Sequence, residues 1–173
     1  MIYMKDLLKN IYLRRFSTLV LLLAIGIAPA FAQFKLKISG EIEKPLELSL
    51  ADLKGMPRKE AVLLDKDGGK HVYEGVSLRE ILLKAGVPTG KDLRGEELSK
   101  YLLVKCSDGY QVLFSLAELD PSIADKNVIL ADKMDGKAIV ENRGPLRIVA
   151  EGEKKPARSS YQVETLILGK VKE

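Results

Sequence analysis

The sequence predicts an α+β domain in which mixed, mostly antiparallel sheets carry short capped helices. The first observation is the alternation of apolar and charged residues in short segments such as "FKLKISGEI", a pattern typical of a half-buried strand. The second is the series of glycine- and aspartate-bearing turns between such segments. The third is a Ser-Leu-x-acid motif that recurs along the chain and predicts an abrupt change from strand to helix.

Residues 1–32 have the pattern of a signal peptide. Two lysines and the pair Arg14-Arg15 precede the apolar run "TLVLLLAIGIA", and "AFA" provides a cleavage site after Ala32. A retained membrane anchor is the alternative, but the apolar run is short and Pro29 interrupts the residues after it. We therefore expect an exported protein, periplasmic or extracellular, that contacts the membrane only through an uncleaved signal peptide.

Composition excludes several classes of function. The leader holds four basic residues and Asp6, or +3 of the net charge of +4, so the rest of the chain is nearly neutral and indicates no nucleic-acid partner. Residues 33–173 have the size of a single domain, and we predict one there. One cysteine, Cys106, and one histidine, His71, cannot form an internal disulfide or a multi-histidine metal site, and they disfavour a histidine-based triad.

The strand candidates succeed one another along the whole of the predicted domain. They are short and are bounded by residues that favour turns, which is the pattern of a sheet-dominated domain. The polar segment at 87–99 lacks periodicity and is expected to be a connection with one helical turn. The candidates are "FKLKISGEI", "PLELSL", "EAVLLD", "KHVYEGV", "KYLLVKC", "YQVLFS", "NVILAD", "KAIVE", "PLRIVA" and "YQVETLIL".

Short helices and tight turns connect these strands. "SLAD" at 49–52, "SLRE" at 77–80 and "SLAE" at 115–118 each combine a capping serine with an acidic residue three positions later, which can accept a bond from the serine backbone N–H. Glycine tolerates positive φ, so Asp67-Gly68-Gly69 and Ser107-Asp108-Gly109 predict hairpin turns, and Asp135-Gly136 is a third candidate.

Strand parity predicts a packing role for Cys106. In "YLLVKC", Leu102, Val104 and Cys106 face one way and Lys105 faces the other. A buried cysteine acts as a small apolar group, whereas a reactive thiol needs an accessible, electropositive setting. We interpret Cys106 as a core residue, and a nucleophile or a metal ligand is the alternative.

Four segments, in this order, resemble the molybdopterin-binding domain of the sulfite oxidase family. They are "SGEIEKPLELSLADLKGMP", "YEGVSLREILLKAGV", "SDGYQVLFSLAELD" and "GPLRIV" with "ARSSYQVETLIL". The resemblance implies a sulfite-oxidase-type molybdopterin-binding fold from about residue 37 to residue 168. In that family the domain holds a molybdenum pterin cofactor, and a cysteine thiolate ligates the metal.

The sequence departs from the family at that ligand. The family's cysteine precedes the "GVSLREIL" segment, where this chain has "RKEAVLLDKDGGKHVYEG" and no cysteine, and Cys106 comes after the segment. The family's Lys-Trp pair near the last strand is also missing, because Tyr161 and Gln162 stand in that neighbourhood and the chain has no tryptophan. We therefore expect no bound cofactor, with molybdopterin as the alternative.

A basic set surrounds the last predicted hairpin and consists of Arg143, Arg147, Lys154, Lys155 and Arg158. The resemblance implies that its three arginines lie near the cofactor's phosphate and pterin, and guanidinium groups suit phosphate because they donate two parallel hydrogen bonds. Parity places Arg147 on the face opposite its apolar neighbours Leu146 and Ile148, as expected of a cleft lining. The alternative is a set of solvated charges balanced by nearby glutamates.

Other polar and aromatic residues give weaker signals. His71 comes after a predicted turn, where an exposed histidine is more common than a metal ligand. Tyr73 and Tyr110 can stack on a planar ligand, although strand tyrosines usually pack half-buried.

Together these features favour a non-catalytic module whose former cofactor cleft binds a small anionic ligand or a protein partner. One alternative is a molybdopterin-dependent oxidoreductase in which Cys106 or a solvent oxygen completes the coordination of the metal. The other is an accessory subunit of an exported redox complex.

Overall fold

The computed structural model describes residues 34–64, 68–140 and 142–171. The predicted signal peptide and Asp67 of the first predicted turn lie outside these residues. Within the described ranges, no helix has the length and apolar character needed to cross a membrane. The elements are β1 (Lys35–Gly40), β2 (Leu46–Ser49), α1 (Leu50–Lys54), β3 (Arg58–Leu64), β4 (Lys70–Ser77), α2 (Leu78–Lys84), two 3-10 turns (Gly90–Asp92 and Gly95–Ser99), β5 (Lys100–Cys106), β6 (Gln111–Ser115), α3 (Leu116–Leu119), β7 (Val128–Met134), β8 (Lys137–Ala138), β9 (Arg147–Ala150), a third 3-10 turn (Pro156–Arg158) and β10 (Val163–Lys170).

The strands form two sheets. Sheet A has the order β2-β1-β10-β5-β6, and sheet B has the order β3-β4-β7-β8, with β9 also paired to β7. Among the described strands, β1 and β10 form the parallel pair, with Lys37 opposite Thr165, and all other pairs are antiparallel. The predicted α+β class with mixed, mostly antiparallel sheets is confirmed.

Sheet B contributes side chains to two separate apolar clusters. The main cluster joins both sheets and the helices, and includes Phe114 of sheet A, Leu130 of sheet B and Ile81 of α2. A smaller cluster on the other face of sheet B includes Tyr73 and Ile129. The division agrees with strand parity, because neighbouring residues of a strand point to opposite faces.

Two of the three predicted helix caps form. Ser49 and Asp52 make a reciprocal capping box at α1, and Ser115 and Glu118 make one at α3, where the Glu118 backbone N–H donates to Ser115 Oγ over 3.1 Å. The third prediction is wrong, because the Ser77 side chain makes no capping hydrogen bond at α2. There the carboxylate of Glu80 accepts from Arg79 Nη1 instead of reaching back to Ser77.

The hairpin predictions agree with the backbone wherever it is described. Asp135 and Gly136 have φ values of 49° and 76° between β7 and β8, and Gly109 has a φ of 85° between β5 and β6. These left-handed conformations favour glycine, and aspartate tolerates them better than most residues. Gly68 also has a positive φ, of 82°, in the connection between β3 and β4.

Candidate functional site

A pocket of about 260 Å³ adjoins the smaller apolar cluster, with which it shares Tyr73, Met134 and Ile139. Its walls are mainly apolar and aromatic. Tyr73 comes from β4, Met134 ends β7, and Tyr161 lies just before β10. Ile139 and Val140 come directly after β8 and complete the apolar lining.

The chain after β8 forms the polar rim of this pocket. We expected the strand "KAIVE" here, but the strand ends at Ala138, and that expectation is corrected. The Arg143 backbone N–H donates to Val140 O over 2.9 Å, so the backbone turns there instead of extending the sheet. The turn brings Asn142 and Arg143 to the pocket.

The side chain of Arg147 contacts the rings of both pocket tyrosines, Tyr73 and Tyr161. It is 2% exposed, and its guanidinium carbon lies 3.9 Å from the centroid of the Tyr161 ring and 4.8 Å from that of Tyr73. Its Nη1 donates to Tyr73 Oη, and its Nε donates to Ser159 O over 3.3 Å. The parity prediction is confirmed, since Val149 of the same strand joins the smaller cluster whereas Ile148 joins the main one. Arg147 therefore fixes the positions of both rings.

Arg143 contacts the same aromatic ring from the rim. Its side chain is exposed, lines the pocket, and places its guanidinium carbon 5.5 Å from the centroid of Tyr161. Two of the three predicted arginines therefore meet at Tyr161. The cofactor-binding role given to them stays a prediction.

Arg158 lies in a different environment, among acidic residues. Its guanidinium bonds to Glu118 over 3.2 Å and to Glu153, and its carbon lies 4.5 Å from the centroid of Phe114. Lys126 pairs with the same two glutamates, so the four charged groups form one network. Burial alone would raise the pKa of Glu118 and of Glu153, but the hydrogen bonds from the cations outweigh it and lower both pKa values. Arg158 is not one of the described pocket-lining residues.

Cys106 packs as strand parity predicts. It is 6% exposed and shares the main apolar cluster with Leu102 and Val104. Burial raises the pKa of its thiol, and the nearby Ser160 side chain opposes that effect only in part. A buried thiol with a raised pKa is a poor nucleophile, because the thiolate is the reactive form.

The remaining sequence candidates lie away from the pocket lining. His71 Nδ1 is 2.6 Å from Asp135 Oδ2, and no group of His, Cys, Asp and Glu residues suited to a metal occurs in the described part of the chain. Tyr110 Oη donates to Ala157 O over 2.9 Å. Lys154 and Lys155 are exposed.

Sequence reasoning did not identify four of the pocket residues, Met134, Ile139, Val140 and Asn142. The available signal was the polar, turn-forming stretch that ends in Gly144-Pro145, directly after the apolar pair Ile139-Val140. Apolar residues next to such a turn leave the sheet early and can line a rim.

Comparison of the sequence with known protein families identifies the family of this chain. A family model described as "Oxidoreductase molybdopterin binding domain" matches residues 65–154. The chain belongs to this family. The predicted resemblance and the sulfite-oxidase-type fold are thereby confirmed. No curated protein matches the sequence significantly.

A solved structure shares the fold of this molybdopterin-binding-type domain. It is the sulfane dehydrogenase SoxCD from Paracoccus pantotrophus, with a TM-score of 0.60 and 22% sequence identity over 78% of this chain. The match covers 38% of the SoxCD chain, so this protein corresponds to less than half of that enzyme's length. At this level of identity the likeness is one of fold.

The described pocket fits the family's cofactor only in part. Two rings and a guanidinium suit a planar, anionic molecule. The metal of a thiolate-ligated centre needs a deprotonated cysteine, and none of the described lining residues is a cysteine. The one thiol of the chain, that of Cys106, instead packs in the main apolar cluster. The described lining of this pocket therefore offers no thiolate to a molybdenum centre.

Proposed function

We propose that this domain is an exported, non-catalytic binding module that holds a small anionic ligand in the pocket lined by Tyr73 and Tyr161. The observation that carries the proposal is the position of Arg143, an exposed guanidinium on the rim of a largely apolar pocket. A guanidinium donates two parallel, charge-assisted hydrogen bonds to a carboxylate, sulfate or phosphate. Ligand pockets are typically apolar with a few polar or charged groups that fix the orientation of the ligand, and Arg143 is such a group here.

Arg147 stabilises the positions of the pocket tyrosines. Because it is buried and bonded to Tyr73 Oη and to Ser159 O, it holds the tyrosine rings in place before a ligand arrives. A preorganised wall lowers the entropy lost when a ligand binds. Arg147 therefore acts as a positioning residue in this proposal, and Arg143 makes the ligand contact.

The location in the proposal rests on the sequence of residues 1–32, which has the basic, apolar and cleavage segments of a leader. Expression with an affinity tag at the C-terminus, followed by cell fractionation and N-terminal sequencing, tests it. An N-terminus at Gln33 in the periplasm or the medium is the expected result. A full-length chain in the cytoplasm would contradict export.

Thermal unfolding in the presence of anions tests the site. Sulfate and phosphate should raise the melting temperature of the wild-type domain, and the shift should decrease as sodium chloride rises, because salt screens an exposed cation. Arg143→Gln should remove the shift. Arg94→Gln is the matched control, since Arg94 is an exposed arginine outside the pocket lining. If no anion, aromatic acids included, raises the melting temperature, the proposal is wrong, and a protein partner becomes the better candidate.

A second candidate function, molybdopterin-dependent oxidoreductase, is suggested by the family match over residues 65–154. Metal analysis separates it from the binding module. Protein purified from a host that makes molybdopterin should contain no stoichiometric molybdenum and should release no fluorescent pterin on oxidation. About one molybdenum per chain would favour the oxidoreductase and would make Cys106 or a solvent oxygen the candidate ligand.

A further inference from the structure

We infer that the anion bound by this pocket is a small aromatic acid with a single ring, an inference that rests on the proposed function. The pocket separates an apolar, aromatic wall from a short cationic rim. An inorganic anion would use only the rim and would leave the wall in contact with water. A molecule with a flat apolar body and one acidic group uses both.

The apolar wall favours a ring over an aliphatic body. Tyr73 and Tyr161 both line the pocket, and Met134 adds a thioether, which contacts aromatic rings favourably. The guanidinium carbon of the buried Arg147 lies 3.9 Å from the centroid of Tyr161 and 4.8 Å from that of Tyr73, so this contact restrains both rings. Aromatic side chains pair with a planar ring in stacked or edge-to-face arrangements, which a puckered aliphatic ring does not offer.

The volume of the pocket suits a ligand with one ring. At about 260 Å³ it falls below the range of about 300–1,000 Å³ that is typical of sites for drug-sized molecules. Most of a larger ligand, such as a nucleotide, would lie outside the described lining.

The acidic group of the ligand would meet the rim. Arg143 supplies a planar guanidinium, and Asn142 next to it supplies an amide that can donate one more hydrogen bond. The ring of Tyr161 lies 5.5 Å from the Arg143 guanidinium carbon, so a ligand ring against Tyr161 would place its substituent near that cation.

Calorimetric titration of the purified protein with a matched ligand series tests the inference. Benzoate should bind at least tenfold more tightly than acetate, cyclohexanecarboxylate should fall between them, and neutral benzyl alcohol should not bind measurably. Equal affinity for benzoate and acetate would overturn the aromatic ligand but leave the anion site intact. Equal affinity for benzoate and benzyl alcohol would show that binding does not require the acidic group, and would overturn that part of the inference. Loss of binding for all carboxylates, sulfate and phosphate would overturn the proposed function itself.

Variants of the wall provide an independent readout. Tyr161→Phe keeps the ring and should keep the benzoate preference, whereas Tyr161→Leu should reduce it to less than threefold over acetate. Val140→Asp tests the same wall at an exposed residue whose replacement leaves the core intact, and it should abolish benzoate binding. Val171→Asp is its control, because Val171 is 64% exposed and does not line the pocket. Unchanged benzoate affinity in Val140→Asp would contradict the inference even if Tyr161→Leu failed to fold.

Discussion

The guanidinium carbon of Arg147 lies 3.9 Å from the centroid of the Tyr161 ring, and the arginine is 2% exposed. Contacts of this kind strengthen when the cation is removed from water, because the ring then competes with little solvent. The same guanidinium bonds to Tyr73 Oη and Ser159 O, so it joins β4, β9 and the segment before β10. One buried side chain thus connects the parts of the chain that supply both tyrosines of the pocket.

Replacing Arg147 should destabilise the fold more than replacing Arg143. We expect Arg147→Ala to lower the free energy of unfolding by about 2–4 kcal/mol, because it removes charged hydrogen bonds and leaves a buried void. Arg143→Ala should change it by less than about 0.5 kcal/mol, since Arg143 is exposed. Urea unfolding monitored by circular dichroism measures both values. Equal effects of the two substitutions would contradict the supporting role of Arg147.

The two serines at the starts of α2 and α3 should respond differently to the same substitution. Ser115→Ala should cost about 1 kcal/mol, because Ser115 Oγ accepts from the Glu118 backbone N–H. Ser77→Ala should cost less than about 0.5 kcal/mol, because Ser77 makes no capping hydrogen bond. Chemical denaturation of both variants is the measurement. A large loss for Ser77→Ala would show that the side chain has another structural role.

Cys106 should behave as a core residue when it is labelled or replaced. Native protein should react slowly with a thiol reagent at neutral pH, since the thiol is buried and its pKa is raised, so little thiolate is present. Labelling should accelerate in urea. Cys106→Ala should cost at most about 2 kcal/mol and leave anion affinity unchanged. Fast labelling of the folded protein would count against burial.

The network around Arg158 should make stability depend on pH. Glu118 and Glu153 have lowered pKa values in the folded state, so their contribution is complete above the usual glutamate pKa of about 4.3 and is lost as pH falls through the folded values. Arg158→Gln should therefore destabilise the protein by about 1 kcal/mol at pH 7 and by progressively less as pH falls below about 4.3.

Urea titrations of wild type and Arg158→Gln at several pH values measure this difference. Arg94→Gln serves as the control, because Arg94 is exposed and pairs with neither glutamate in the described contacts. A difference between wild type and Arg158→Gln that stays constant from pH 7 to pH 3 would show that the arginine stabilises the fold through contacts that do not titrate, those with the Phe114 ring and Leu113 O.

The sequence alone was sufficient to predict most of the strands, the faces on which their residues lie, and the turns. Alternation of apolar and charged residues identified the strands, because side chains alternate between the two faces of a sheet. The same rule placed Cys106 in the main cluster and separated Arg147 from Ile148. The turns at Ser107-Asp108-Gly109 and Asp135-Gly136 were predictable from the conformational freedom of glycine. These features depend on residues that are neighbours in the chain.

The tertiary structure decided which distant residues meet. The pairing of β1 with β10 joins strands at opposite ends of the described chain, and no local pattern encodes it. The three arginines have the same chemistry in the sequence, yet Arg143 and Arg147 reach Tyr161 while Arg158 pairs with Glu118 and Glu153. Side-chain partners across long stretches of chain depend on how whole sheets pack, and only the assembled fold fixes that packing.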